Sequence, residues 1–81
     1  MKEFLEFLVK QLVSKPEEVI VDANSDNDFI TFTITVAKED MAIIIGKDGN
    51  TINGIRNLAK AKAIKDKINM RIQLTEIYDH N

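Results

Sequence analysis

Cysteine is absent from all 81 residues, which excludes disulfides and thiolate zinc sites and suits a reducing compartment, the cytoplasm. The one histidine, His80, stands in the C-terminal tail without clustered ligands, so neither a metal nor a catalytic imidazole is read there and no cofactor is expected. No apolar run approaches the roughly 20 residues of a membrane-spanning helix. Met1-Lys2-Glu3-Phe4 leads into a pattern that carries Glu3 and Glu6 without a small-residue cleavage site, which argues against a signal peptide. A general excess of positive charge is missing too: the formal net charge is −2, mildly against an indiscriminate polyanion binder.

What is present is an ordinary folded composition, 44% hydrophobic and 30% charged, in a length that predicts one domain over 1–81. Its charge is unevenly spread. From Lys47 to Arg71 there are seven basic residues (Lys47, Arg56, Lys60, Lys62, Lys65, Lys67, Arg71) against two acids, Asp48 and Asp66, whereas nine acids fall between Glu3 and Asp40. The half that begins at Lys47 is therefore the positive side.

Phe4, Leu5, Leu8, Val9, Leu12 and Val13 recur at helical spacing, with Phe7 off the stripe, and predict a helix from Met1 to Val13 lying on a sheet. It ends near Ser14 or Lys15, because Pro16 disfavours helical geometry just before it. Val19–Ala23 reads as a short strand with Val19, Val21 and Ala23 on one face; Asn24 to Asp28 is a cluster of turn residues. Phe29–Val36 alternates strictly, Ile30, Phe32, Ile34 and Val36 inward and Thr31, Thr33 and Thr35 outward, so the two runs pair as an antiparallel hairpin whose outer face is open to solvent. Lys38-Glu39-Asp40 opens a short helix to about Ile45. A second runs from Thr51 to about Lys65 and buries Ile52, Ile55, Leu58, Ala59 and Ala63, leaving Asn53, Arg56, Asn57 and Lys60 outside. Ile68 to Leu74 alternates as a last strand, and the two intervening helices are the crossover that parallel pairing requires. The predicted class is α+β, in the order helix, strand, strand, helix, helix, strand, with a tail over 76–81 that frays unless Ile77 and Tyr78 dock.

Between the two middle helices stands Ile43-Ile44-Ile45-Gly46-Lys47-Asp48-Gly49-Asn50-Thr51-Ile52. Glycines at both ends of the turn permit positive φ and close backbone approach. A helix starting at Asn50 or Thr51 presents backbone N–H groups and the positive end of its dipole, which favours a phosphate. Lys47 adds a charge at the tip. Of the three isoleucines a helix cannot bury all on one side, so at least one is left exposed.

The residues Ile45-Gly46-Lys47-Asp48-Gly49, Ile52, Ile55 and Arg56 match Ile-Gly-x-x-Gly-x-x-x-x-x-Ile-Arg, and with this element order the chain resembles a type II KH domain. The initial helix, Pro16-Glu17-Glu18-Val19 and Val36-Ala37-Lys38-Glu39-Asp40-Met41 are similar to small stand-alone bacterial KH proteins of the KhpA type. That resemblance implies a three-stranded mixed sheet with helices on one face. It also implies binding of about four nucleotides of single-stranded RNA between the loop, its two helices and the neighbouring strand edge. Gly46, Lys47, Asp48 and Gly49 would clamp the phosphates, with Asn50 and Thr51 offering N–H groups behind them, and Ile45, with Ile43 or Ile44, would floor the groove. It further implies a homodimer, or pairing with a larger KH protein that carries a further nucleic-acid-binding domain, and a role as RNA chaperone or post-transcriptional regulator. Asp48 and Asn50 depart from the family's more basic loops and imply weak, unselective binding.

Asn53, Arg56 and Lys60 share a face that serves either RNA or a protein partner, and the lysines from Lys60 to Lys67 are either a solvated helix end or an RNA patch. The alternative function is a dimeric adaptor that brings a larger KH partner to RNA. A nucleotide-hydrolysing enzyme is disfavoured, since a phosphate-loop motif needs Gly, four residues, then Gly-Lys-Ser/Thr, and Asp48 follows Lys47.

Overall fold

A computed structural model describes residues 1–76; the tail beyond, with Ile77, Tyr78 and His80, lies outside the described residues. Its elements are α1 (Lys2–Lys10), β1 (Ile20–Asp26), β2 (Phe29–Val36), α2 (Met41–Ile45), α3 (Asn50–Asp66) and β3 (Asn69–Glu76). Single 3₁₀ turns occupy Pro16–Glu18, Lys38–Asp40 and Lys47–Gly49. The sheet order is β1-β2-β3, antiparallel between β1 and β2 and parallel between β2 and β3. This is the expected α+β arrangement, with β3 left as an edge.

The alternation in β2 produces this layering. Phe32, Ile34 and Val36 are buried against Leu5 and Val9 of α1, Ile44 of α2 and Ile52, Ile55 and Ala59 of α3, while Ile20, half exposed, marks the uncovered side. Removing these side chains from water supplies the main driving force for so small a fold. The long connection between β2 and β3 is filled by α2 and α3, so the glycine loop is carried on two helices anchored through Ile44 and Ile52.

Several expectations need correction. Helix α1 stops at Lys10 instead of Val13, and Leu12, turned out of the last helical turn, keeps 42% of its surface exposed. Strand β1 runs on through Asn24 and Ser25 to Asp26, because each pairs across the hairpin, Asp26 opposite Phe29, and only Asn27 and Asp28 make the turn. Ala23 lies exposed, toward that overhanging end of the hairpin. Leu58 was expected in the buried stripe of α3 and is 54% exposed. At about 100° per residue it lies beside, and not on, the stripe of Ile52, Ile55, Ala59 and Ala63.

Candidate nucleic-acid interface

The loop is shaped by three residues at positive φ: Gly46 (φ 74°, ψ 177°), Asp48 (φ 56°, ψ 27°) and Gly49 (φ 76°, ψ 12°). At Gly46 two constraints coincide. Its φ/ψ falls in a region essentially restricted to glycine, and a methyl group there would meet Thr51 Cβ at 2.7 Å and the Thr51 backbone nitrogen at 2.9 Å. Thr51 therefore packs directly on the glycine's bare face. Gly49 is constrained by its dihedrals alone, for the nearest atom to an added methyl is Asn53 Nδ2 at 3.8 Å. Asp48 is a residue type that tolerates the left-handed region.

Hydrogen bonds inside the loop hold this shape. The Gly46 N–H donates to the Ala42 carbonyl (2.9 Å) and the Gly49 N–H to the Gly46 carbonyl (3.2 Å). The Asn50 N–H donates to the Lys47 carbonyl. Asn50 was expected to turn its N–H to a ligand, but that donor is engaged within the loop. The start of α3 has no side-chain cap, which leaves the positive end of its dipole facing the loop. Lys47, Asp48 and Asn50 are exposed, and Thr51 is half-buried.

Ile44 is fully buried, whereas Ile43 and Ile45 keep 42% and 40% of their surface exposed. Two positions apart on a helix they point about 200° away from each other, so only one of them can share a side with a groove. Asn53 and Arg56 are exposed on α3, as expected. Beside Arg56 an open groove of about 440 Å³ runs between α3 and the β3 edge, walled by Arg56, Lys60, Met70, Arg71 and Ile72. Three cationic side chains over an apolar floor suit a phosphodiester backbone with bases turned inward. The charge count places Arg71 on the positive side of the chain, but neither it nor Met70 is singled out there as a site residue; the signal is a basic residue in the strand that closes the sheet.

Asp40, at the entrance to α2, has no exposed surface. Its carboxylate accepts the Ser14 hydroxyl (2.7 Å), the Ser14 N–H (3.0 Å) and the Lys15 N–H (3.1 Å). These bonds, the hydroxyl first, hold its pKa below the ordinary value of 3.8. Lys15 also pairs with exposed Glu39, which raises the lysine's pKa and lowers the glutamate's. The linker after α1 is thus stapled to the helix that delivers the loop.

Comparison with known proteins agrees with the residues. A family model described as the KH domain of KhpA and KhpB matches residues 2–74. The RNA-binding protein KhpA of Chlamydia trachomatis is 43% identical over 94% of this chain and 97% of that protein. The KhpA proteins of Clostridium perfringens (38% identical; 91% and 99% covered) and Listeria monocytogenes (34%; 94% and 100%) are similar over comparable spans. Among solved structures, Aquifex aeolicus Era bound to GDP and aluminium fluoride superposes with a TM-score of 0.67 at 20% identity over 96% of this chain. Era in complex with a nucleotide analogue and a segment of 16S ribosomal RNA gives 0.65 at 18% over the same share. The chain spans about a third of Era's length, and the likeness is one of fold. The KH family is non-enzymatic, which removes the hydrolase reading; by its loop, its element order and these relatives, the chain belongs to the KhpA/KhpB family of KH domains.

Proposed function

We propose that this chain binds single-stranded RNA, gripping about four nucleotides with the Gly46-Lys47-Asp48-Gly49 loop and the groove beside it, and acts in the cytoplasm as an RNA chaperone or post-transcriptional regulator. The observation that carries the reading is Gly46: a backbone that only glycine adopts, pressed against Thr51, just before the helix whose Arg56 and Lys60 wall a groove together with Arg71. Lys47 supplies the mobile charge, Thr51 and Asn53 flank it on α3, and one of Ile43 and Ile45 faces the bases. Asp48 opposes Lys47 locally and keeps the affinity low. The names of the KhpA relatives support RNA as the ligand.

The test is a titration of an unstructured RNA of about twelve nucleotides at two salt concentrations, with Lys47→Asp in parallel. Saturable binding, a slope of roughly −1 to −2 in log K against log salt, and loss of binding in the variant are expected. Equal affinity of the variant would remove the loop from the site.

A second reading, the dimeric adaptor, is favoured by Phe7 and Leu58. Both are large apolar side chains left 63% and 54% exposed. They suit a second copy of the chain, or a larger KH protein that brings a further nucleic-acid-binding domain. Co-purification with such a partner after nuclease treatment, without RNA affinity of the chain alone, would support the adaptor over direct binding.

A further inference from the structure

The seam between α3 and β3 continues past the groove beside Arg56. A second cavity, of about 200 Å³, extends it toward the C-terminal end of α3, with Phe29, Lys60, Ile64, Asn69 and Met70 among its walls. Lys60 and Met70 line both cavities, so the two are neighbours along one seam. Helical rise puts Lys60 about 15 Å, and Ile64 about 21 Å, along α3 from Asn50, well beyond a phosphate held at the loop.

Phe29 opens β2, the central strand, yet keeps 38% of its surface exposed. The Arg71 guanidinium carbon lies 5.3 Å from its ring centroid, within the range of a cation–π contact. Arg71 also walls the first cavity, so the same residue borders both the basic groove and the aromatic ring. Among the described residues no acidic side chain lines either cavity. A flat ring with an arginine against it, at the end of a cationic track, has the chemistry of a base-stacking platform: the ring offers a π face to any base, and the cations take the adjoining phosphate.

We propose that the seam holds a second nucleotide subsite, in which a base of the same RNA strand stacks on Phe29 beside Arg71 while Lys60 contacts the intervening backbone. This rests on the RNA-binding reading above and extends the bound strand past the nucleotides held at the loop.

The chain has no tryptophan, so Phe29→Trp introduces a single tryptophan, excited selectively over Tyr78, at the platform. Titrated with an RNA of about twelve nucleotides, its emission is quenched in step with saturation measured by anisotropy of the labelled RNA, whereas a four-nucleotide RNA leaves it unquenched. Phe29→Leu, which keeps the apolar bulk without the π face, weakens binding of the longer RNA roughly tenfold, and Phe29→Tyr stays within about twofold of the parent. Unchanged emission at saturating RNA, equal quenching by the short RNA, or a Phe29→Leu variant that binds as tightly as the parent overturns the subsite. The Lys47→Asp variant separates the two readings. If it binds as well as the parent while the tryptophan is still quenched, the loop assignment fails and the stacking subsite stands; if the longer RNA binds neither protein, both fall.

Discussion

The hairpin turn at Asn27 and Asp28 and the loop from Gly46 to Gly49 each hold a non-glycine residue at positive φ, Asn27 at 58° and Asp48 at 56°. Their surroundings differ. Asp26 and Asp28 flank or form the hairpin turn, which reverses the chain with Asp26 opposite Phe29. The loop joins two helices fixed to the core by Ile44 and Ile52, leads into the helix that carries Arg56 and Lys60, and contains a glycine that packing forbids replacing. An unusual backbone angle by itself therefore says little. What sets the loop apart is the same angle combined with close packing, cationic neighbours and an uncapped helix start.

Substitutions sharpen that contrast in descending order of effect. Gly46→Ala brings together a glycine-only conformation and a clash with Thr51, and should lower stability by about 3 kcal/mol or more in denaturant unfolding, with RNA binding lost. Asp40→Ala strips the carboxylate from three donors at Ser14 and Lys15 and should lower the melting temperature. Because the folded-state pKa of Asp40 is lowered, its contribution is present above the ordinary carboxylate pKa and fades as pH falls through the folded value. The gap in melting temperature between parent and Asp40→Asn should thus begin to narrow below the ordinary value of 3.8 and go on narrowing as pH falls toward the folded value. Gly49→Ala, which meets only a dihedral penalty, should lose about 1–2 kcal/mol, clearly less than Gly46→Ala. Asp48→Asn removes the opposing charge while keeping tolerance for positive φ, and should tighten RNA binding roughly twofold to fivefold, about the worth of one exposed charge near a phosphate. Asn27→Gly, at the hairpin, should change stability by less than about 0.5 kcal/mol and leave binding alone; a larger loss of binding there would break the distinction between the two turns.

Much of this was legible from residue order. The strict alternation of β2 and the glycine-bounded break between two apolar runs each encode their element locally, whereas Pro16 misplaces the end of α1, which stops at Lys10. The parts that escaped depend on residues distant in the chain. Ser14 and Asp40 are 26 positions apart, and nothing local announces that a first-turn aspartate caps another segment. Asn24 to Asp26 have turn propensity, but pairing with β2 overrides it. Leu58 fits the helical period, yet at about 100° per residue it falls to one side of the stripe of Ile52, Ile55, Ala59 and Ala63 and stays 54% exposed. At the site, Gly46 to Gly49 could be read from spacing, whereas the engaged Asn50 N–H and the opposed directions of Ile43 and Ile45 required backbone geometry.

The most direct test is to follow backbone amide resonances while a four-nucleotide RNA is added. The account predicts shifts concentrated at Gly46–Thr51 and along the groove at Arg56, Lys60 and Met70–Ile72, with Asn27 and Asp28 silent. Shifts that gather at the hairpin turn or on the exposed faces of α1, with the loop unmoved, would contradict it.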